Sequence, residues 1–291
     1  MELRVLKYFL AVAREENITK AANLLHITQP TLSRQMMQLE EELGIKLFRR
    51  GRHNVLLTEE GMLLRRRAQE IVDLTEKTEK ELVHGEETVS GEISIGCGET
   101  QNMKPLAEMI SSFQEEYPEV VFHMYTAIAD DVTERLENGI LDMGLLLEPV
   151  EISRYHFVRM PLQEKWHVLM RRDCPLAEKE KITPPDLAGM PLIIAKRQSV
   201  RNLLENWFGD EAGKIRVAST CNLSHNNESL MVEGGMGLAL MIEYTCNHES
   251  LCLRPLEPEI ASGCVLVWKK NQTLSPAMAR FIGYVKKYFS M

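Results

Sequence analysis

The sequence predicts an α/β protein in three parts: an N-terminal winged helix-turn-helix, a long connecting helix, and a larger body of alternating strands and helices. Three observations carry that reading. In "HITQPTLSRQMMQLEEELG" (26–44) the apolar residues Leu32, Met36, Leu39 and Leu43 step by four, three and four, one helix face behind a proline. Charge is divided unevenly: residues 1–67 hold 12 Lys+Arg and 8 Asp+Glu, net +4, whereas the remaining 224 hold 22 and 34, net −12. From residue 92 onward, apolar runs of strand length alternate with amphipathic helical runs. At 291 residues the chain is long for one core, so two or three domains are expected.

The head comes first. Leu3, Leu6, Phe9, Leu10, Val12 and Ala13 make an amphipathic first helix. "NITKAANLLH" (17–26) reads as a short second helix capped by Asn17 or Thr19, with Ala21 and Ala22 small enough for close helix approach. The third helix should begin at Thr28, an N-cap whose hydroxyl can accept from a first-turn N–H. Pro30 is tolerated in that first turn, where its missing N–H would be unpaired anyway. With Leu32 inward, Pro30, Ser33, Arg34, Met37 and Gln38 lie roughly 100–160° around the helix. A helix, a tight turn and a capped helix with a polar face make a helix-turn-helix. After Gly44, "IKLFRRGRHNVLLT" (45–58) reads as two short strands around a basic tip holding Arg49, Arg50, Arg52 and His53. Beside a helix-turn-helix, such a wing suits phosphate or minor-groove contact. A basic head on an acidic body fits a nucleic-acid module joined to a different domain.

Residues 18–61, "ITKAANLLHITQPTLSRQMMQLEEELGIKLFRRGRHNVLLTEEG", resemble the N-terminal domain of the LysR-type transcriptional regulators. The likeness lies in the Ala-Ala second helix, the Gln-Pro opening, Ser-Arg-Gln, Leu-Glu followed by Leu-Gly, Leu-Phe-x-Arg and Leu-Thr-x-x-Gly. The resemblance implies that the helix from Thr28 enters the DNA major groove. There Pro30 would touch a thymine methyl, and Arg34 would fork to guanine O6 and N7, worth about 1–3 kcal/mol of base discrimination. Gln29 and Ser33 would bond phosphate or base edges; Thr31 and Gln35 flank that face as backbone contacts, with Gln38 further along it. Arg50, Arg52 and His53 would serve the wing. The family usually has Arg where His53 stands, so Arg52 is expected to take over that contact.

From Glu59 to about His84 there is no proline, and Leu64, Ala68, Ile71, Thr75, Thr78 and Leu82 recur with heptad-like spacing. About 26 residues at 1.5 Å give a rod of roughly 39 Å. The resemblance implies a linker helix that pairs two subunits, so that two recognition helices read two half-sites. "HGEETVSGE" (84–92) reads as a hinge. The expected domains are 1–58 for DNA binding, 59–88 for the linker, and 89–291 for the body.

In the body, "EISIGCG", "VVFHMYTA" and "LDMGLLL" read as strands around the helices "MKPLAEMISSFQEEYP" and "ADDVTERLENG"; "KWHVLMRR", "PLIIAK", "KIRVAST", "GLALMI" and "VLVWKK" continue the alternation. The resemblance implies an effector domain of two Rossmann-like lobes, like a periplasmic binding protein. Lobe I would take about 89–161 and 268–291, lobe II about 162–267, with crossings near Pro161 and Val267. Ligands in such sheets bind beyond the carboxyl ends of strands and at helix N-termini. That rule selects Thr100 and Gln101 in "GETQN", Tyr125 and Thr126, then Ser199 and Asn222 from the other lobe, with Leu146, Leu223 and Met241 as apolar walls. Glu99 opposes an anion there unless it turns outward or pairs with Lys196 or Arg197, and on that condition a carboxylate effector is expected.

Other classes find less support. "EGGMGLA" (233–239) holds a GxG, but after a helix and before a strand, the reverse of the dinucleotide fingerprint; a Gly turn explains it. There is no GxSxG, HExxH or P-loop, so an enzyme is not expected, and no cofactor or metal with it. Cysteines 97, 174, 221, 246, 252 and 264 show no CxxC and read as reduced packing residues. Segment 195–214 has no cysteine, whereas the family's peroxide sensors rely on a cysteine pair near the first loop of the second lobe, so thiol sensing by that route is not expected. The longest apolar run, "MGLALMI" (236–242), is far short of a membrane span, and the N-terminus is too charged for a signal peptide. The resemblance therefore implies a cytoplasmic bacterial regulator, homodimeric or homotetrameric, whose partners are double-stranded operator DNA, RNA polymerase and a small-molecule effector.

Overall fold

The computed structural model describes residues 1–50, 55–83, 89–222, 225–244 and 248–289, and of residues 50, 77 and 80–83 the backbone only. The chain divides into two compact units, residues 1–85 and 86–291.

The first unit runs α1 (Leu3–Glu15), α2 (Ile18–Leu24), α3 (Gln29–Leu43), β1 (Phe48–Arg50), β2 (Val55–Leu57) and α4 (Glu59–Val83). Leu6, Phe9, Val12, Ala21, Ala22, Leu32, Met36, Leu39 and Leu47 close one core. Asn17 is the cap of α2, its side chain accepting from the N–H groups of Thr19 and Lys20. α3 starts after Thr28, holds Pro30 in its first turn, and ends at Gly44 with φ 69°, a left-handed C-cap that glycine adopts without strain. Two details of the sequence reading change. The Thr28 hydroxyl makes no cap bond to the backbone but pairs with the Thr31 hydroxyl at 2.8 Å. Leu43, placed on the inner stripe by spacing, is 37% exposed, because the last turn of α3 runs past the edge of the core.

Glu40 is buried and clasps the start of the wing. Its carboxylate accepts the backbone N–H of Leu47 (2.8 Å) and of Phe48 (3.2 Å) and meets the Lys46 ammonium at 2.6 Å. β1 then pairs antiparallel with β2, Arg49 opposite Leu56. Gly61 in the first turn of α4 lies so close to Leu47 that an added Cβ would stand 2.2 Å from its carbonyl oxygen.

The heptad-like seam expected along α4 is divided between two faces. Leu64, Ala68 and Val72 turn inward onto the domain's own core. Ile71 is 41% exposed and Thr78 is exposed, while both threonine hydroxyls satisfy themselves on Ile71 and Leu74 carbonyls at 2.8 Å. α1 claims the inner stripe, with Lys7 bridging to Glu76 at 2.7 Å, so the outward apolar residues become Leu63, Ile71 and Leu74. The side chain of Leu82 lies outside the described residues.

The second unit holds two mixed sheets. One consists of β3 (Gly91–Cys97), β4 (Val120–Thr126), β5 (Met143–Leu147), β6 (Tyr155–Arg159) and, near the C-terminus, β13 (Cys264–Lys269), in the order β4-β3-β5-β13-β6. α5 (Met103–Glu116) and α9 (Pro276–Phe289) cover one face through Phe113 and Phe281, whose rings meet edge-on at 5.0 Å. α6 (Ala129–Glu137) covers the other. It packs down on Gly96 and Gly144, where a Cβ would come within 2.6 and 2.9 Å of Val132 and Leu136. The other sheet comprises β7 (Glu164–Arg171), β8 (Pro191–Ala195), β9 (Arg216–Cys221), β10 (Leu238–Ile242) and β11 (Leu251–Pro255), with the short β12 (Ala261–Ser262) on β7. α7 (Gln198–Phe208) and α8 (His225–Glu233) cover its two faces.

In each sheet the parallel βαβ strands are completed by antiparallel ones, β13 in the first and β7 in the second. The chain crosses between lobes after β6 and returns at Gly263 rather than near Val267. The apolar run from Cys264 fits between β5 and β6, so Val267 pairs with Gly144 and Phe157 inside the first sheet. β6 and β11, which the sequence reading passed over, are edge strands. Pro149 and Ser153 before the one, and the single arginine within the other, obscure their alternation.

Candidate functional site

Two surfaces deserve the name of site, one in each unit. On α3 the residues opposite the Leu32–Met36–Leu39 stripe are open: Thr28, Gln29, Pro30, Thr31, Arg34 and Gln38 are exposed, Ser33 and Gln35 half-buried. Gln35 is held by Gln38, its amide donating to the Gln38 carbonyl at 3.1 Å. Arg34 makes no hydrogen bond or ion pair among the described residues, so its guanidinium retains its full set of donors for another molecule. In the wing, Arg49 is exposed and the backbone of Arg50 pairs with Val55. Arg52, His53 and the side chain of Arg50 lie outside the described residues.

In the second unit a cavity of about 380 Å³ opens between the lobes. Its walls bring together Thr100, Tyr125, Thr126 and Leu146 from the first lobe with Arg197, Val200 and Asn222 from the second. A neighbouring cavity of about 440 Å³ is lined by Thr100, Gln101, Thr126, His225, Glu243 and Tyr244. The strand-end rule thus gathers Thr100, Gln101, Thr126, Leu146 and Asn222. Met241 does not join them: it is fully buried beside Leu169, Ile193 and Val232 in the second-lobe core. A strand buried on both faces has no wall to offer. Ser199 sits in the first turn of α7, off the cavity lining, with its hydroxyl buried and unpartnered. Leu223 lies outside the described residues.

The polar connections across the cleft join Thr100, Glu99 and Arg197 to residues the sequence did not single out, Glu164, Asn102, His225 and Asp130. Glu164, fully buried at the start of β7, reaches the N-terminus of α5. There it accepts from the Thr100 hydroxyl, from the Asn102 side-chain amide (2.7 Å) and from the Asn102 backbone N–H (3.3 Å). Asn102 also trades hydrogen bonds with the Leu162 backbone, at 2.9 and 3.1 Å. In the other direction Glu99 reaches α8, accepting the His225 backbone N–H at 2.7 Å. The His225 ring stacks on Tyr244 with centroids 4.6 Å apart. Arg197 from the second lobe pairs with Asp130 at the start of α6, at 2.9 Å. Glu99 therefore pairs with neither Lys196 nor Arg197.

Behind Cys221, whose thiol donates to Glu228 at 2.6 Å, a second glutamate is almost wholly buried. Burial pushes the Glu228 carboxyl up to about 7; Glu99 adds to the rise and the Cys221 bond takes some away. The Cys221 thiol is in turn pushed far up by burial and by Glu228, which keeps it protonated and unreactive. Burial lowers His225 against the pull of Glu99 and Glu164, so its ring favours the neutral form. Among the described residues no group of His, Cys, Asp and Glu is placed to hold a metal ion, and no helix is long and apolar enough to cross a membrane.

A winged helix-turn-helix with an open recognition face, carried by a chain that also holds two α/β lobes around a cleft, defines a DNA-binding regulator of the ligand-sensing architecture. Comparison with known proteins agrees. Residues 3–62 match the family described as bacterial regulatory helix-turn-helix protein, lysR family, and residues 86–290 match the LysR substrate binding domain. The chain belongs to the LysR family of transcriptional regulators, and is a DNA-binding regulator, not an enzyme. It is 30% identical to the uncharacterized HTH-type transcriptional regulator YybE of Bacillus subtilis (strain 168), with both chains covered completely. It is 28% identical to the Hca operon transcriptional activator HcaR of Escherichia coli (strain K12), covering 99% of this chain and 98% of that one. Among solved structures, the LysR family regulator CbnR superposes with a TM-score of 0.76 at 21% identity over 99% of each chain.

Proposed function

We propose that α3 reads an operator through the major groove and that the interlobe cavity takes a small-molecule effector which sets the regulator's output. Arg34 is the observation that carries the first half. It stands exposed and unpartnered one turn into a helix whose start Pro30 marks, in position to fork to a guanine. Gln29, Pro30, Ser33 and Gln38 share its face; Thr28, Thr31 and Gln35 flank it as phosphate contacts, and Arg50, Arg52 and His53 serve the wing. Footprinting on the protein's own upstream DNA tests this. Arg34→Ala should relax sequence preference, whereas Arg52→Ala should weaken all sequences alike. Unchanged affinity and preference in Arg34→Ala would sink the docking.

The effector half is supported by the cavity, whose volume and apolar walls suit a small molecule. The carboxylate expected on the sequence loses support here, because Glu99 is not neutralised by Lys196 or Arg197 and Glu164 already fills the α5 terminus. Subunit pairing follows the outward stripe of α4, Leu63, Ile71 and Leu74, which would otherwise stay in water. A homodimer built on it, paired again into a tetramer, would present recognition helices to two half-sites and to RNA polymerase in the bacterial cytoplasm. Sedimentation of a Leu63→Glu, Ile71→Glu, Leu74→Glu triple variant should show monomers; an undisturbed oligomer would move the interface elsewhere.

A further inference from the structure

The positions that would seat an anion in the cleft are occupied from within. The α5 terminus, with the Thr100 hydroxyl and the Asn102 amides, is satisfied by Glu164. The His225 N–H at the α8 terminus is satisfied by Glu99. The Arg197 guanidinium is engaged by Asp130 and by the Leu147 carbonyl at 3.4 Å. Arg197 being paired with Asp130, the charged groups left at the 380 Å³ cavity without an opposite charge are acids. Glu99 and Asp131 both line it, and Asp131 has no partner among the described residues. Glu99 and Glu243 both line the adjoining cavity. Leu146, Ile128 and Val200 supply apolar surface beside these acids.

We infer that the effector of this protein is a cation, an amine with an apolar body, and not a carboxylate; the inference rests on the reading of this cleft as the effector site. An ammonium beside Glu99 and Asp131 gains two carboxylate partners in a partly desolvated pocket, where opposite charges attract more strongly than in water. A carboxylate placed there meets like charges, and the guanidinium beside it is already neutralised by Asp130.

Calorimetry and thermal shift on the full-length protein at pH 7, where an alkylamine is charged, test this with three probes of one shape: 2-phenylethylamine, phenylacetate and 2-phenylethanol. The amine is expected to bind at least about tenfold more tightly than either other probe and to raise the melting temperature. Asp131→Asn, at an exposed position, should weaken the amine about tenfold, and Glu99→Gln likewise. Equal or tighter binding of phenylacetate overturns the inference, as does amine binding that both variants leave intact. So does the absence of amine binding at about 10 mM. A mobility-shift assay on the same sample keeps the two readings apart. Amine binding that leaves operator affinity and footprint unchanged would refute the cleft as the effector site while leaving amine recognition in place.

Discussion

Glu99 in the first lobe accepts the backbone N–H of His225 in the second at 2.7 Å, so an acid from one lobe caps the helix of the other. The same oxygen lies 3.3 Å from the His225 Nδ1. Removing the cap with Glu99→Ala leaves the α8 terminus open and should cost about 1 kcal/mol. For a domain of this size that lowers the melting temperature of the second unit by roughly 2–4 °C, measurable by calorimetry. An unchanged melting temperature would mean that water replaces the cap without loss.

Asn102 is the companion anchor. It is fully buried and ties Glu164 to the Leu162 backbone. Asn102→Ala should cost about 2–4 kcal/mol, because a buried carboxylate loses its side-chain amide donor and two backbone groups lose partners. Urea unfolding at constant m-value reads this. A loss below about 1 kcal/mol would show that Thr100 and the backbone N–H groups hold Glu164 without the Asn102 side chain.

In the first unit the wing is set by Glu40. Burial alone would raise its carboxyl, but the Lys46 ammonium and the N–H groups of Leu47 and Phe48 outweigh that and lower it. A lowered folded pKa means that the stability it contributes is present above the ordinary carboxylate range and lost as pH falls through the folded value. Glu40→Gln should therefore reduce the melting temperature of this unit at pH 7 and converge on the parent only as pH falls below the ordinary carboxylate range. DNA affinity should fall with it, although Glu40 faces away from the recognition surface.

Glu228 has the opposite sign. Its folded carboxyl, pushed up to about 7 chiefly by burial, favours the protonated form. That preference is fully met below the unfolded value and lost as pH rises through 7. Glu228→Gln should match the parent near pH 4 and exceed it at pH 8 by roughly 1–3 kcal/mol. Denaturant titrations at the two pH values decide it. A parent as stable as the variant at pH 8 would place the Glu228 carboxyl in water.

The two units were unevenly legible. Pro30 and Gly44 bracket α3 because each acts through its own backbone, and the Leu32–Met36–Leu39 stripe follows from helix period alone. The α4 seam did not, since spacing marks apolar residues without saying whether α1 or another subunit covers them. Glu164 gave no local signal: its partner Asn102 stands 62 residues away, and a lone glutamate at a strand start looks like any surface acid. His225 and Glu99 are 126 residues apart.

What the sequence by itself determined is local: the elements, their caps, the polar face of α3, the strand ends where Thr100, Thr126 and Asn222 meet the cleft, and the family pattern. What only the tertiary structure decided is which charges face one another there. Helix period and capping act over a few residues, whereas the field in the cleft depends on which acids and bases the folded lobes bring within a few ångströms of one another, since their pull or push falls off with distance.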